Sequence, residues 1–316
     1  MKERPYVPAI LLVVAFLAAS RLGPNFMDAR YLLESTTLYM EAGLLALAMT
    51  FVIVSGNIDL SVGSTLVLCG CVAAKLLESG LGFIPTVLLT AFLGTGIGAL
   101  NGLVVAKFRL PSFLVTLATM AIGRGAAQAM LGPSSVKIPA GFKGIDQSTL
   151  LGLPWPLVIF LGMAVIAGLL LHRSVFGRWV FGLGTNESAA LYSGIPIDRV
   201  KITVFAMAGL MAAIGALLVD SRLGVARYDL AKGIELDAIT VAVLGGAAIQ
   251  GGRGSILGTT LSLFLIMVLK TAMGVSNVKA EYQLTAIGAL LILAVVFGNL
   301  SSLGRHVRKK PSAESA

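Results

Sequence analysis

The residues best suited to chemistry in this chain are polar side chains isolated in long apolar runs. Arg124 lies in the run 112–131, with Gln128 one turn away and Thr119 and Gly123 nearby. An unpaired guanidinium in lipid is costly, so we expect Arg124 to face a cavity, a partner or a contact between chains. Two interpretations stay open: a structural tie to backbone carbonyls or a side chain that snorkels outward, and a polar face that lines a path through the membrane.

A second polar group interrupts the apolar sequence at residues 55–64, where Asp59 is flanked by Asn57 and Ser61. Asp and Asn favour turns and helix caps, so one interpretation is a tight turn in which Asp59 caps the next helix. The other is a helix break beside a pathway, where exposed backbone or the carboxylate helps to form a gate. Both interpretations keep Asp59 away from lipid.

Lys270, followed by Thr271, is a second candidate for a cation inside the membrane. We expect its long side chain to snorkel to the outer interface, and a position along the pathway is the alternative.

A run of glycines between residues 245 and 258 lacks the strand context that a phosphate site needs. Close helix packing and a sharp turn at Arg253 explain it better. A weak likeness between residues 56–64 and 246–255 hints at an internal repeat.

Enzyme chemistry has little support in this sequence. His172 and His306 have no cysteine or carboxylate at metal-ligand spacing, and Cys69 and Cys71 lie in one apolar stretch as expected for inert buried thiols. No lysine follows a glycine, so the phosphate loop G-x-x-x-x-G-K-[ST] is absent. We therefore expect no catalytic residue, no metal site and no cofactor bound by this chain.

Composition places these residues in a membrane protein. The chain has 316 residues, of which 57% are hydrophobic and 12% charged. A water-soluble core cannot absorb that much apolar surface, and continuous rather than alternating apolar runs favour helices over a barrel. The net charge of +9 comes from basic residues at the ends of apolar runs and not from a patch, so nucleic-acid binding is not expected.

The apolar runs predict an all-α integral membrane protein with about ten transmembrane helices in a single transmembrane domain that spans residues 1–316. The predicted spans are 7–20, 38–55, 60–77, 85–106, 112–131, 155–171, 201–219, 236–250, 255–273 and 283–299. The first is expected to be a retained span and not a cleaved signal peptide.

The distribution of basic residues predicts that both termini are cytoplasmic. With that orientation, about 13 Lys and Arg residues lie in inside segments and about 9 in outside loops. A model with nine spans would send the basic segment 305–310 outward, which is less favourable.

The longest inner connection, residues 172–201, contains a short helix signature. Thr185 or Asn186 can act as N-cap, Glu187 follows in the first turn, and Gly194 stops the helix. From the pattern alone, this helix is either a linker lying on the bilayer or an element that inserts into a cleft of a cytoplasmic partner.

Four stretches resemble the ribose, rhamnose and autoinducer-type branch of binding-protein-dependent ABC permeases, over nearly the full chain. They are SGNIDLSVGS (55–64), LPSFLVTLATMAIGRG (110–125), GRWVFGLGTNESAALYSGIPIDRVK (177–201) and ELDAITVAVLGGAAIQGGRGSILGT (235–259). The resemblance implies a multi-pass protein of the bacterial inner membrane. Its implied partners are a second permease copy or paralogue, a periplasmic or extracellular solute-binding protein, membrane lipid and a cytoplasmic ATP-binding-cassette ATPase that holds ATP and Mg.

The resemblance also assigns roles to residues. It implies a coupling helix in the loop 172–201, which would contact the ATPase through Thr185, Asn186, Glu187, Ala190, Leu191 and Gly194. The candidate residues of the translocation path or gate are Asn57, Asp59, Ser61, Thr119, Arg124, Gln128 and Lys270. The implied function is ATP-driven import of a small sugar or sugar-like solute by alternating access. Two alternatives stay open: an ion-gradient-driven secondary transporter that uses Asp59 as its ion site, and a permease for branched-chain amino acids.

Overall fold

The apolar runs of the sequence form helices in the structure. A computed structural model of the chain describes residues 6–21, 24–139, 142, 148–279, 281–290 and 292. The helices are α1 (Tyr6–Ala19), α2 (Ala29–Thr36), α3 (Met40–Val54), α4 (Val62–Glu78), α5 (Phe83–Lys107), α6 (Ser112–Leu131), α7 (Trp155–Arg173), α8 (Val175–Thr185), α9 (Glu187–Tyr192), α10 (Ile197–Leu223), α11 (Ile234–Leu244), α12 (Ile256–Val275) and α13 (281–290), with a 3₁₀ turn at Pro24–Met27. The strands are β1 (Val136–Lys137), β2 (Thr149–Leu150), β3 (Leu153–Pro154) and β4 (Val225–Ala226).

Within the described residues, five helices are long and apolar enough to cross a membrane: α5, α6, α7, α10 and α12. Helices α2 and α3 meet at 55° and pass the same test as one bent span, which gives up to six. Helices α1, α4 and α11 are shorter, at 14, 17 and 11 residues. The fold is therefore all-helical and multi-pass, with five or six candidate spans by length and composition.

Each of the first nine predicted spans coincides with a helix, and the tenth coincides with α13 as far as the structure describes it. Residues 291 and 293–299 of that span lie outside the described residues, as do Lys2, Arg4, His306 and the basic segment 305–310. The eighth span differs most from its prediction of 236–250. Helix α11 ends at Leu244 because Gly246 turns the backbone to a φ of 99°.

Helix α3 lies at the centre of the bundle. Every residue of α3 except Ala42 is buried, and the helix packs against α10, α11 and α7. Its sequence is apolar on all sides, as expected for a helix surrounded by other helices.

Among the described helices, α5 and α10 share the most extensive contact. Gly94, Gly98 and Gly102 follow one another at four-residue intervals along α5, and a Cβ at Gly98 would overlap the carbonyl of Phe205 on α10. On α10, a Cβ at Gly209 would overlap the carbonyl of Gly94. Small residues at this spacing allow two backbones to touch, which replaces the hydrophobic driving force that lipid cannot provide.

The ends of α3 and α11 share one geometry, in line with the hinted repeat. Gly56 and Gly246 follow the two helices with φ of 79° and 99°. In both cases the N–H of the next residue donates to the carbonyl five residues earlier, over 3.0 Å. A helix–break–helix unit thus occurs twice, as α3–α4 and α11–α12.

Two long connections meet at the end of the bundle opposite these breaks. Strand β1, after α6, pairs antiparallel with β4, after α10, with Val136 opposite Ala226. Strands β2 and β3 form a hairpin before α7. Short strands therefore occupy both of these connections.

We predict that Gly98→Ala lowers the free energy of unfolding by about 1–3 kcal/mol, because the added methyl group forces α5 away from α10. Gly96→Ala is the matched control on the same helix, since a Cβ at Gly96 meets nothing within 4 Å. Thermal unfolding in detergent measures both. Equal midpoints for the two variants would contradict the close contact of α5 with α10.

Candidate functional site

The chain between α3 and α4, residues 57–61, is not helical and packs among the helices. An interrupted helix leaves backbone groups without partners, and hydroxyls of α6 bind them here. The N–H of Ile58 donates to Ser112 Oγ at 3.1 Å, and the N–H of Leu60 donates to Thr116 Oγ1 at 3.1 Å. The break is therefore held by the first two turns of α6.

A chain of polar side chains continues from this segment into α5 and α6. Ser61 Oγ donates to Asp59 Oδ1 at 2.6 Å, Asn101 Nδ2 donates to Ser61 Oγ at 2.9 Å, and Thr119 Oγ1 donates to Asn101 Oδ1 at 2.6 Å. We call Asp59, Ser61, Asn101 and Thr119 the polar chain. Asp59, Ser61 and Asn101 are almost completely buried, at 1–3% exposure, so this network is internal.

The predicted residues of the break differ in their surroundings. Asp59 Oδ1 also accepts the Ser61 N–H at 2.8 Å, two residues along the chain, as in an Asx-turn, and Ser61 is the N-cap residue of α4. Asn57 binds only locally, through Nδ2 to the Ser55 carbonyl and hydroxyl at 3.2 and 3.0 Å.

A groove of about 430 Å³ opens between α5 and α6 next to the polar chain. Asn101 and Thr119 supply its polar groups, and the remaining lining is aliphatic. It lies toward the α5–α6 connection, because Leu110 lines it as well.

Arg124 pairs with a carboxylate that the sequence reading did not assign to it. Its Nη2 lies 3.6 Å from Glu235 Oε2, in the first turn of α11, and the two side chains are 26% and 11% exposed. Gly63 on α4 makes room, because a Cβ there would overlap this carboxylate oxygen. The pair joins α6 to α11 across α4, so the guanidinium is neither bare in lipid nor snorkelling. Gln128 lies exposed on α6.

Lys270 also binds a carboxylate on α11 and does not snorkel freely. Its Nζ lies 2.9 Å from Asp237 Oδ2 and 6.0 Å from the centre of the Tyr39 ring. Two carboxylates of one helical turn, Glu235 and Asp237, thus bind cations from α6 and α12, where the positive end of the helix dipole also favours them. A third pair joins Arg222 on α10 to Glu41 on α3.

In the loop 172–201, the structure places a short helix where the signature predicted it. Asn186, not Thr185, is the N-cap of α9, since its Oδ1 accepts the Ala189 N–H at 2.9 Å; Thr185 is the last residue of α8. Gly194, with a φ of 77°, follows the end of the helix. Glu187 binds Lys201 on α10, with 2.7 Å between Oε1 and Nζ.

The two faces of α9 differ sharply. Ala190 is buried against the bundle, whereas Leu191 and Tyr192 are 57% and 91% exposed. Two large apolar side chains thus project from a capped, anchored helix.

The loop 172–201 meets the end of α3 through a backbone contact at Gly184. A Cβ at Gly184, the residue before Thr185, would overlap the carbonyl of Val54 at the end of α3. Gly252, from the α11–α12 turn, donates its N–H to the same carbonyl at 2.8 Å. We call Val54, Gly184 and Gly252 the backbone junction. At this junction, Gly184, which lies shortly before the start of α9, meets both helix breaks.

Several residues of this site were missed at the sequence level: Ser112, Thr116, Asn101, Glu235 and Asp237. Asn101 had a usable signal, since it is the one amide in the apolar run 85–106. Glu235 and Asp237 open a predicted span, where acidic residues also occur simply as helix-start residues.

Of the two histidines, His172 accepts the Ile256 N–H at Nε2 over 3.3 Å, while His306 lies outside the described residues. Cys69 and Cys71 are buried free thiols. Across the described ranges, no group of three or more His, Cys, Asp or Glu residues is placed to hold a metal ion.

A multi-pass helical bundle with an interrupted helix, lined inside by hydroxyl and amide groups, is the architecture of a membrane transport protein. The family model described as branched-chain amino acid transport system, permease component, matches residues 31–295. The chain belongs to this family of ABC-transporter permeases, which are non-enzymatic transport subunits.

Curated relatives match nearly the whole chain. The autoinducer 2 import system permease proteins LsrD of Escherichia coli (strain K12) and of Shigella flexneri are each 37% identical over 315 residues, covering 98% of this chain and 95% of the relative. The protein of the same name from Escherichia coli O157:H7 is 36% identical with the same coverage. No solved structure matches this chain.

We predict that Glu235→Gln lowers the free energy of unfolding by about 1–3 kcal/mol, because it leaves the Arg124 guanidinium partly buried without a counter-charge. The control is Glu78→Gln, which removes an exposed partner of Lys75 and should change stability by less than about 0.5 kcal/mol. Chemical unfolding in detergent micelles measures both.

The double variant Arg124→Gln/Glu235→Gln should recover part of the loss, because no buried charge then remains unpaired. If the two single losses simply add in the double variant, the residues do not interact.

Proposed function

We propose that this chain is the permease subunit of an ATP-driven importer for a small sugar or sugar-like solute. Two permease chains, as a homodimer or with a paralogue, enclose the path, and a solute-binding protein delivers the solute from outside. A separate ATP-binding-cassette ATPase holds ATP and Mg and contacts α9. The membrane is the bacterial inner membrane, the spans number about ten, and both termini are cytoplasmic.

The observation that carries this proposal is the position of α9, which directly follows the residues that contact the helix breaks. Leu191 and Tyr192 offer an exposed apolar contact for a partner, and Gly184 rests on the carbonyl that ends α3. Force applied to α9 therefore reaches the break and the polar chain directly. In this mechanism, nucleotide-driven closure of the ATPase moves α9 and reorients the spans by alternating access.

Charge supports the proposed orientation. Lys107 binds Asp198 at 3.2 Å, which places the α5–α6 connection beside the start of α10 and next to the loop 172–201. Basic residues 109 and 253 lie in connections at this same end, and basic residues 173, 178 and 199 lie in the helical parts of the segment 172–201. An excess of Lys and Arg favours the cytoplasmic side.

Relatives support the solute class. The permeases with 37% identity are named for autoinducer 2 import. Branched-chain amino acid uptake is the second candidate function, because the family description carries that name. An ion-driven secondary transporter is the third, with Asp59 as its ion site.

The test is uptake into proteoliposomes by this chain alone and by the assembly that copurifies with it. We expect no uptake by the chain alone. We expect the assembly to accumulate autoinducer 2, ribose or rhamnose when ATP and the loaded binding protein are present. An assembly whose ATPase carries an inactive phosphate loop is the control. Accumulation by the chain alone that an uncoupler abolishes would establish the secondary transporter, and uptake of leucine but of none of the three probes would establish the amino acid permease.

We also predict that Leu191→Asp and Glu187→Lys uncouple ATP hydrolysis from import, because both change the surface of α9. Import should fall at least about tenfold, as expected when an interface loses roughly 1.4 kcal/mol. Leu151→Asp is the matched control: Leu151 is 97% exposed but lies in the β2–β3 turn at the other end of the bundle. Normal coupling in the α9 variants would refute the coupling assignment.

A further inference from the structure

The groove between α5 and α6 has the size and lining of a small-molecule site. Its volume of about 430 Å³ falls in the range of roughly 300–1,000 Å³ that is common for ligand pockets. Leu100 and Val104 from α5, with Leu114, Val115 and Ala118 from α6, form apolar walls. Pockets of this kind combine apolar walls with a few placed polar groups, which set the orientation of the ligand.

The polar groups at this groove are held in place from behind. Asn101 accepts from Thr119 and donates to Ser61, which in turn donates to Asp59. A carboxamide carries two N–H donors and two acceptor positions, and each of these two hydrogen bonds uses one of them. Capacity for further hydrogen bonds therefore remains at Asn101 and at the Thr119 oxygen, on side chains whose rotamers are already fixed.

The chemistry of the lining selects the type of occupant. No charged residue lines the groove, so nothing there compensates an ion. A lipid acyl chain would lie against an amide and a hydroxyl that it cannot bind, which is unfavourable. An uncharged molecule with hydroxyl groups and an apolar face satisfies both the polar pair and the aliphatic walls.

We infer that the α5–α6 groove is a solute subsite of the translocation path, in which Thr119 and Asn101 hydrogen-bond hydroxyls of an uncharged, sugar-like solute. The inference rests on the proposed function and adds the place of contact. Its two neutral hydrogen-bonding groups make a weak site, and weak contact suits a path that must release its cargo. Because the polar chain begins at the break that the backbone junction holds, a movement of α9 changes the site that holds the solute.

Four single variants of the copurified assembly test the subsite. Thr119→Val removes the hydroxyl with little change of shape, and Thr119→Ser keeps it. Thr95→Val is the matched control, because the Thr95 hydroxyl binds only the Ala91 carbonyl of its own helix, at 2.7 Å. Ala118→Leu fills the groove from an exposed position, so folding tolerates it. The readouts are import of autoinducer 2, ribose and rhamnose, and ATP hydrolysis stimulated by the loaded binding protein.

We expect Thr119→Val to lower import about three- to tenfold, the usual effect of one lost hydrogen bond, while stimulated ATP hydrolysis stays within about twofold. Ala118→Leu should lower import at least about tenfold with the same preserved hydrolysis, and Thr119→Ser and Thr95→Val should import normally. This split between import and hydrolysis separates a solute contact from a general structural defect.

Two results would overturn the inference, and they are distinguishable. If the wild-type assembly imports none of the three probes, the proposed function fails and the subsite fails with it. If the wild-type assembly imports a probe and both Thr119→Val and Ala118→Leu import it at the wild-type rate, the proposed function stands and the groove is not part of the path. Equal loss of import and hydrolysis in Thr119→Val would also reject it, since the residue would then act on the fold.

Discussion

An interrupted helix inside a membrane must find hydrogen-bond partners for its freed backbone groups, and this requirement organises the structure. Residues 57–61 have left the helix of α3 and have not yet entered α4, and Asn57, Asp59 and Ser61 among them are buried. Ser112 and Thr116 on α6 supply the partners, while their own helix stays intact. The hydroxyls of α6 thus fix the distance and rotation of this helix relative to the break. The hydrogen bonds of Asn101 with Ser61 and with Thr119 extend this polar network along α5 and α6.

The second constraint is that lipid does not drive helices together, so close contact depends on small residues and on paired charges. Glycines let α5 meet α10 and let Gly184 meet the end of α3. The ion pairs Arg124–Glu235 and Lys270–Asp237 act at the other end of the polar region, where α11 begins. A buried pair is weak evidence for stability, but a buried cation without its carboxylate is strongly unfavourable. These pairs therefore specify which helices are neighbours more than they strengthen the bundle.

Much of this fold could be predicted from local patterns, and the site only in part. The run 112–131 predicts α6 with both boundaries correct, because Pro111 and Gly132 flank an uninterrupted apolar stretch. The residue types alone predicted that the N-cap of α9 is Thr185 or Asn186, and the structure shows that it is Asn186. The partner of Arg124 was not foreseen, since Glu235 is 111 positions away in the sequence and only the packing of α6 and α11 against α4 brings them together. Likewise, Asn101 alone in an apolar run indicates that the amide has a polar partner, but the sequence does not show which residues those partners are.

The backbone junction explains why the coupling segment and the path behave as one mechanical unit in the proposed mechanism. A side-chain contact absorbs small displacements by changing rotamer, but a contact between main chains does not. Gly184 and Gly252 both meet the Val54 carbonyl without an intervening side chain, so a shift of α9 moves the end of α3 or breaks the hydrogen bond from Gly252. Residues 57–61 begin three positions after Val54 and are bound to α6, so in the proposed mechanism either event displaces α6 against α5. In that mechanism, glycine at these positions serves the transmission of force as well as the close packing.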